Sequence, residues 1–195
     1  MKAPRYILII SLCIVSAVSL AQTIDTEIKY STIPSGNNII CYIPPGNKLV
    51  INDFRGIPAE GNTAVATTSS GFSFKAGFKN SASKTSLIIT VFCNFDKSLS
   101  WMKENGKNDY VLTHEQHHFD IAYLSTLAFM QKLKHTDFTV ANYQEKLQAI
   151  YTTAMEDMEQ LQHQYDSETQ NGQLKEIQLA WNKKIEDRLV EIAAK

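Results

Sequence analysis

His114-Glu115-Gln116-His117-His118-Phe119-Asp120, near the middle of a 195-residue chain, contains the pattern His-Glu-x-x-His. On a helix, residues four apart lie on one face and one turn from each other, so the imidazoles of His114 and His118 can bind one metal ion. Glu115 would project beside that ion, where its carboxylate can take a proton from a zinc-activated water. The motif predicts a zinc site with His114 and His118 as ligands and Glu115 as the catalytic general base.

The residues around this motif favour a helix. Residues 110–134 contain no Gly or Pro, and Asn108 or Asp109 can serve as the N-cap. Six residues, including both motif histidines, recur at spacings of three and four: Val111, His114, His118, Ile121, Ser125 and Phe129. This stripe predicts that the histidines face the interior. Two core histidines bonded to backbone or water would be the alternative, and His117 is interpreted as a residue that supports a ligand or lies at the surface.

The first 21 residues have the properties of a secretory signal peptide. Lys2 and Arg5 form a short basic region, residues 6–20 are apolar apart from serines, and Ser19-Leu20-Ala21 places small residues where a signal peptidase cuts. The apolar run is shorter than the about 20 residues that a membrane helix needs. We therefore expect cleavage after Ala21, a secreted or periplasmic protein, and no membrane span in the remaining chain.

The net charge argues against binding to nucleic acid. The chain has 19 Lys and Arg residues against 20 Asp and Glu residues, a formal net charge of −1. Loss of Lys2 and Arg5 with the signal peptide would make the charge more negative. Proteins that bind nucleic acid or an anionic membrane surface usually carry an excess of positive charge, so neither partner is expected.

Two cysteines, Cys41 and Cys93, remain after the expected cleavage. An even number of cysteines in an exported protein suggests a disulfide bond between them. Two buried thiols would be the alternative.

The part of the chain after the signal peptide, residues 22–195, divides into a β-rich half and a helical half. In residues 22–96 the strand candidates are residues 24–30, 38–43, 49–54, 72–78 and 87–95, and the last two are predicted to form a hairpin. Both faces of residues 87–95 are apolar, so both are expected to be covered. In residues 97–195 the motif helix is followed by helical patterns at residues 140–164 and after the stop signal Asn171-Gly172. This order predicts a single α+β domain, with an N-terminal antiparallel sheet followed by the motif helix and C-terminal helices.

A catalytic zinc ion usually has three protein ligands, so the sequence must supply one more nitrogen or oxygen atom. The candidates lie together in residues 163–169, at the end of the second long helical pattern, which can pack back against the motif helix. Asp166 is the preferred third ligand, and Glu168 and His163 are the alternatives.

The stretch from His114 to Ala122 resembles the signature of a family of exported bacterial proteins. That family is a domain of unknown function whose members are regarded as secreted zinc-dependent peptidases. Two further parts of the chain are similar to it, residues 53–58 with 64–68, and residues 165–172 with Trp181. The resemblance implies a zincin-like fold, a zinc cofactor and peptide substrates. The family pattern often has a His where this chain has Asn171.

These observations predict a secreted zinc metallopeptidase that hydrolyses peptide bonds with a zinc-activated water and Glu115 as general base. The expected partners are peptide or protein substrates, without nucleic acid. The alternative hypothesis is a non-catalytic zinc-binding protein of the cell envelope with a zincin-like fold, which the departure at Asn171 would favour.

Supporting roles are assigned to several further residues. Tyr165 or His163 would stabilise an oxyanion, and Asp120 or Thr169 would orient a ligand imidazole. An edge strand of the N-terminal sheet would hold an extended peptide by strand addition.

Overall fold

A computed structural model describes residues 23–81 and 84–194, and the expected signal peptide, residues 1–21, lies outside this part. The architecture is α+β, a sheet followed by three helices, as the sequence predicts. The strands are β1 (Asp25–Tyr30), β2 (Ile39–Cys41), β3 (Ala66–Thr67), β4 (Ser70–Asn80), β5 (Thr85–Asp96) and β6 (Trp101–Met102). The helices are α1 (Asp109–Lys134), α2 (Tyr143–Thr169) and α3 (Lys175–Ala193), and short 3-10 helices occupy Ile51–Asp53 and Glu104–Gly106.

The main sheet is built around β5. The predicted hairpin is confirmed, because β4 pairs with β5 in antiparallel register from Ser70 opposite Phe95 to Asn80 opposite Thr85. On the other edge of β5, β1 pairs in parallel and β2 pairs antiparallel beyond it. The prediction of an entirely antiparallel sheet is therefore wrong for β1. The alternation of apolar residues that identified β1 has the same period in both directions, so it carries no information about strand direction.

Residues 49–54 do not form the predicted strand. A single 3-10 turn, Ile51–Asp53, lies there instead. The side chain of Asp53 accepts a hydrogen bond from the backbone nitrogen of Val50 at 3.0 Å, which favours a turn over an extended chain. The backbone nitrogen of Leu49 donates to Gln116 of α1 at 2.7 Å, so this segment is attached to a helix rather than to a neighbouring strand.

Only one face of β5 is fully covered. The inner face carries five residues that are completely buried: Leu87, Ile89, Val91, Cys93 and Phe95. On the outer face, Ile88, Thr90 and Phe92 are each half-buried. The prediction that both faces are covered is therefore wrong. The three helices follow the sheet in sequence, and α1 contacts the sheet on its inner face.

The inner face of the sheet packs against α1 to form the main core. Phe119 of α1 lies edge-on to Tyr42, and Tyr123 stacks on Tyr42 with ring centroids 4.1 Å apart. Burying a large apolar side chain stabilises a fold by about 1.5–3 kcal/mol, so these contacts fix the rotation of α1 about its axis. The two motif histidines consequently face away from the sheet, towards α2 and α3.

The expected disulfide between Cys41 and Cys93 is not formed, and both thiols are free and buried. The residue opposite Cys41 in the antiparallel pair of β2 and β5 is Asn94, and the Cys41 Sγ lies 3.2 Å from the Asn94 side-chain oxygen. Residues that neighbour each other along a strand point to opposite faces, so Cys93 points to the inner face while Cys41 points to the outer one. Burial raises the pKa of both thiols.

The ends of the helices follow the predicted signals. α2 ends in three consecutive residues with left-handed backbone angles, Gln170, Asn171 and Gly172, which stop the helix as Asn171-Gly172 predicts. Within the part of the chain that has been described, no helix combines the length and the apolar character that crossing a bilayer requires.

Candidate metal centre

Helix α1 brings His114 and His118 together. The helix begins after Asn108, whose side chain accepts a hydrogen bond from the backbone nitrogen of Val111 at 3.0 Å, as expected for an N-cap. The Nε2 atoms of the two histidines are 3.2 Å apart. Their side chains are mostly buried, with exposed fractions of 8% for His114 and 13% for His118.

Helix α2 places Asp166 opposite the two histidines. The Oδ1 atom of Asp166 is 3.2 Å from Nε2 of His114 and 3.0 Å from Nε2 of His118. The Asp166 side chain is 36% exposed, so the cluster is open to solvent on this side. The residue chosen from the sequence as the third ligand therefore lies at the two imidazoles, and these three residues form the only His, Cys, Asp or Glu cluster of this kind among the described residues.

Two glutamines determine which nitrogen of each histidine carries the proton. Gln162 of α2 has its Oε1 atom 2.5 Å from Nδ1 of His118, and its Nε2 atom donates to the backbone oxygen of the same histidine at 2.8 Å. Because a backbone oxygen only accepts, the amide orientation of Gln162 is fixed. Gln178 of α3 similarly places its Oε1 atom 2.8 Å from Nδ1 of His114. A carbonyl oxygen only accepts, so in these contacts the proton of each neutral imidazole is assigned to Nδ1, and both Nε2 atoms are then bare.

The cluster consequently brings three possible ligand atoms within 3.2 Å of one another. The two bare Nε2 atoms and the carboxylate oxygen of Asp166 have no hydrogen between them, and Asp166 Oδ1 has no hydrogen-bond donor among the described residues. Such an arrangement is repulsive unless a cation or a proton occupies its centre. Four ligands in a tetrahedron around zinc, with bonds of about 2.0–2.1 Å, lie about 3.3 Å apart, close to the spacing found here. The donor atoms therefore fit a small divalent metal ion.

The electrostatics of the cluster also favour positive charge at its centre. Burial lowers the pKa of His118, but its contacts with Asp166 and the nearby charge of Glu115 outweigh that effect and raise the pKa above its usual value. Burial raises the pKa of Asp166, but the close contacts of its carboxylate with the His114 and His118 imidazoles outweigh that effect and hold the pKa below its usual value. A metal ion and a proton would compete for the same centre.

Glu115 lies beside the cluster without belonging to it. Its side chain is buried, with 5% exposed, and its Oε2 atom has no hydrogen-bond partner in the described part of the chain. The hydroxyl of Thr68, just after β3, donates to the backbone oxygen of Glu115 at 3.2 Å and not to its carboxylate. A buried carboxylate without a partner is costly, which is a reason to expect a function for this group.

The two alternative third ligands are not at the site. His163 is exposed on α2. Glu168 accepts hydrogen bonds from the indole nitrogen of Trp181 at 2.8 Å and from Gln164 at 2.7 Å. Glu168 lies two positions after Asp166 and therefore on the opposite face of α2. His163 lies three positions before Asp166, but its side chain is exposed to solvent.

Tyr165 does not have the predicted role as an oxyanion donor. It is fully buried, and its ring stacks on that of His114 with centroids 4.7 Å apart. Its hydroxyl lies 3.3 Å from the backbone oxygen of His114, to which it donates, and accepts from Gln178 at 2.5 Å. The hydroxyl is thus used behind the cluster, and its pKa is raised by burial. His163, the other candidate for this role, is exposed away from the cluster.

The residues predicted to orient the ligands act elsewhere. The carboxylate of Asp120 accepts from Tyr42 and Gln116, and lies 2.9 Å from Nδ1 of His117. His117 is therefore neither a surface residue nor a support of the ligands but part of a separate buried polar cluster, with 2% exposed. The hydroxyl of Thr169 donates to the backbone of Tyr165 one turn earlier and accepts from the Gly172 nitrogen, so it caps α2.

Gln162 and Gln178 contact the two clustered imidazoles, and neither residue is predicted from the sequence. The sequence does contain a signal for each of these two glutamines. Gln178 occupies a position in the apolar stripe of α3 that also contains Leu174, Trp181 and Ile185. Gln162 lies one turn before Asp166, on the same face of α2. A polar residue within an otherwise inward-facing stripe needs a buried partner, and here the partners are the ligand imidazoles.

Comparison with known proteins adds one finding. Residues 95–173 match the family described as a bacterial protein of unknown function (DUF922). The matched segment extends from the end of β5 to the loop after α2 and contains the three clustered residues and Glu115, whereas Gln178 lies beyond it. No match is found among curated proteins or among solved structures. A bacterial domain of unknown function is therefore present, while the zincin-like fold and the peptidase activity stay predictions.

Proposed function

We propose that the protein is a secreted or periplasmic zinc-dependent metallopeptidase. The observation that carries this proposal is the cluster of two imidazole nitrogens and a carboxylate oxygen beside the buried carboxylate of Glu115, whose Oε2 atom has no hydrogen-bond partner among the described residues. Structural zinc sites usually have four protein ligands, whereas catalytic sites have three and an open position. The described residues supply three, and the exposure of Asp166 leaves the remaining side open.

The choice of zinc follows from the ligand atoms. Calcium and magnesium prefer sites built from oxygen atoms alone. Two imidazole nitrogens with one carboxylate oxygen are a common ligand set of catalytic zinc. The two glutamines suit such a site, because metal-binding histidines almost always donate their other ring N–H to a neighbouring oxygen.

In the proposed reaction His114, His118 and Asp166 hold the ion. Bound Zn²⁺ would lower the pKa of a water molecule towards about 7 and polarise the carbonyl group of a substrate. Glu115 accepts the proton of the attacking water at its carboxylate and passes it to the nitrogen of the leaving amine. The burial of Glu115 strengthens this role, since charges act over a longer range where water is excluded.

A peptide substrate is favoured by the strand next to the site. Among the described strands β3 pairs only with β6, so its other edge has no partner strand. Thr68, the residue after β3, reaches the backbone of Glu115. An extended peptide that pairs with this edge would lie beside the metal cluster.

Zinc-loaded protein is expected to cleave at least some members of a mixed peptide library. Cleavage should disappear after treatment with a chelator and return with added zinc, because the metal is required for the reaction. Mass spectrometry of the products measures both the rate and the sites of cleavage. Complete resistance of a diverse library to protein with one bound zinc ion would favour the alternative, a non-catalytic zinc-binding envelope protein.

Zinc affinity is expected to fall as the pH is lowered from about 8 to 6. The pKa of His118 is raised above its usual value of about 6.5, so a proton begins to compete with zinc at a higher pH than for an ordinary histidine. Each pH unit below that pKa should weaken binding about tenfold for this imidazole alone, because one proton must leave. Titration with a competing chelator at each pH measures the affinity. His163→Gln, a change at an exposed histidine, should leave the profile unchanged, and a pH-independent affinity would contradict the assignment of His118.

A further inference from the structure

Helix α3 packs against the rest of the protein through one face. The side chains that it buries almost completely are Gln178, Trp181 and Ile185. A groove between α3 and the helices α1 and α2 is lined by residues of all three, and Leu189 of α3 packs against the core. Few side chains of α3 are almost completely buried, and Gln178 is the one that contacts the metal cluster.

Gln178 is the polar centre of those contacts. It is 1% exposed, and its amide nitrogen lies 2.5 Å from the hydroxyl oxygen of Tyr165 and 2.6 Å from Oδ1 of Asn182. Its Oε1 atom faces only the Nδ1 atom of His114. A buried amide oxygen without a donor is unfavourable, so a proton on Nδ1 of His114 stabilises the docked position of α3.

Metal binding determines where that proton is. When Nε2 of His114 holds a metal ion, the proton of the neutral ring must be on Nδ1, where it donates to Gln178. The same ring lies 2.8 Å from the Gln178 oxygen through Nδ1 and 3.2 Å from Asp166 Oδ1 through Nε2. A metal bond at Nε2 would therefore hold the ring in the position and the tautomer that Gln178 binds.

We propose that Gln178 is a positioning residue that couples metal binding to the docking of α3. The proposal rests on the proposed metal site at His114. Mutation of a residue that binds the second nitrogen of a metal-binding histidine typically weakens metal binding by about 10–100-fold. Because coupling between two equilibria is reciprocal, α3 should dock about 10–100-fold more favourably in metal-loaded than in metal-free protein.

Hydrogen exchange of residues 175–194, followed by mass spectrometry, tests this coupling. With excess Zn²⁺ alone as the probe, exchange of α3 in the wild-type protein is expected to slow by about tenfold or more. In Gln178→Leu, which removes the acceptor, zinc should bind about 10–100-fold more weakly and leave α3 exchange unchanged even at saturation. Gln178→Glu restores an acceptor for Nδ1 and should restore the zinc-dependent protection.

Gln162→Leu is the matched control. Gln162 contacts the other ligand imidazole, that of His118, from α2, so its loss should weaken zinc binding while saturating zinc still protects α3. Equal exchange of α3 with and without zinc, in wild-type protein that binds zinc, would overturn the coupling and leave the proposed function standing. The coupling would also be refuted if Gln178→Leu kept the full zinc-dependent protection. Failure of the wild-type protein to bind zinc would overturn both proposals.

Discussion

Glu115→Gln is expected to reduce peptide hydrolysis by about 10²–10⁴-fold while the bound zinc stays in place. The amide of Gln has nearly the shape of the carboxylate, so it fits the same buried position, but it cannot accept a proton. Zinc should stay bound because Glu115 is not one of the three clustered residues. The measurements are the cleavage rate and the zinc content of the same preparation.

His163→Gln is a suitable control for this variant, since His163 is exposed on α2 away from the cluster. It should retain both zinc and activity. Hydrolysis by Glu115→Gln at the wild-type rate would show that another group accepts the proton and that the proposed mechanism is wrong. Loss of zinc from Glu115→Gln would instead show that the carboxylate has a role in metal binding.

His118→Ala is expected to weaken zinc binding by about 100-fold or more. Zinc bound to a protein through three or four ligands gains about 10–16 kcal/mol, so each ligand contributes about 3 kcal/mol or more. The variant also leaves Gln162 without the imidazole that its side-chain oxygen contacts. Competition with a chromogenic chelator measures the loss, and circular dichroism shows whether the helices are retained.

His163→Ala serves as the control for this second variant, because it removes an imidazole from the same protein without touching the cluster. It should bind zinc as tightly as the wild type. If His118→Ala bound zinc with unchanged affinity, the two motif histidines would not share an ion, and the metallopeptidase proposal would lose its basis.

The helical part of the site was predictable because its information is local. The positions of His114 and His118 on one face follow from the helical period, and the N-cap at Asn108 follows from a side-chain bond three residues away. Asp166 could be chosen because only a few polar residues stand at the end of a helix long enough to return to α1. Its position beside the imidazoles agrees with that choice.

The parts that could not be predicted depend on contacts between distant segments. The parallel direction of β1, and the opposite orientations of Cys41 and Cys93, are set by which strand lies beside β5 and in which register. Composition and alternation do not contain this information. The same reason applies to Tyr165, whose hydroxyl is directed behind the cluster by Gln178 from another helix.

The residues that contact the clustered imidazoles could not be predicted either, because they too come from distant segments. Asp120 has the residue type usually expected behind a metal-binding histidine, but its carboxylate is already used by Tyr42, Gln116 and His117. The glutamines that do support the ligands come from α2 and α3. Their role depends on the packing of three helices, which the sequence of any one helix does not reveal.

X-ray absorption at the zinc edge of wild-type protein tests the central claim most directly. One zinc ion per chain is expected, with two imidazole nitrogens and at least one oxygen at about 2.0–2.2 Å, and the Asp166→Asn variant should alter the oxygen contribution while both imidazoles stay bound. Protein that contains no zinc after purification without chelators and cannot be loaded, or zinc bound through sulfur or through a different set of imidazoles, would contradict the account.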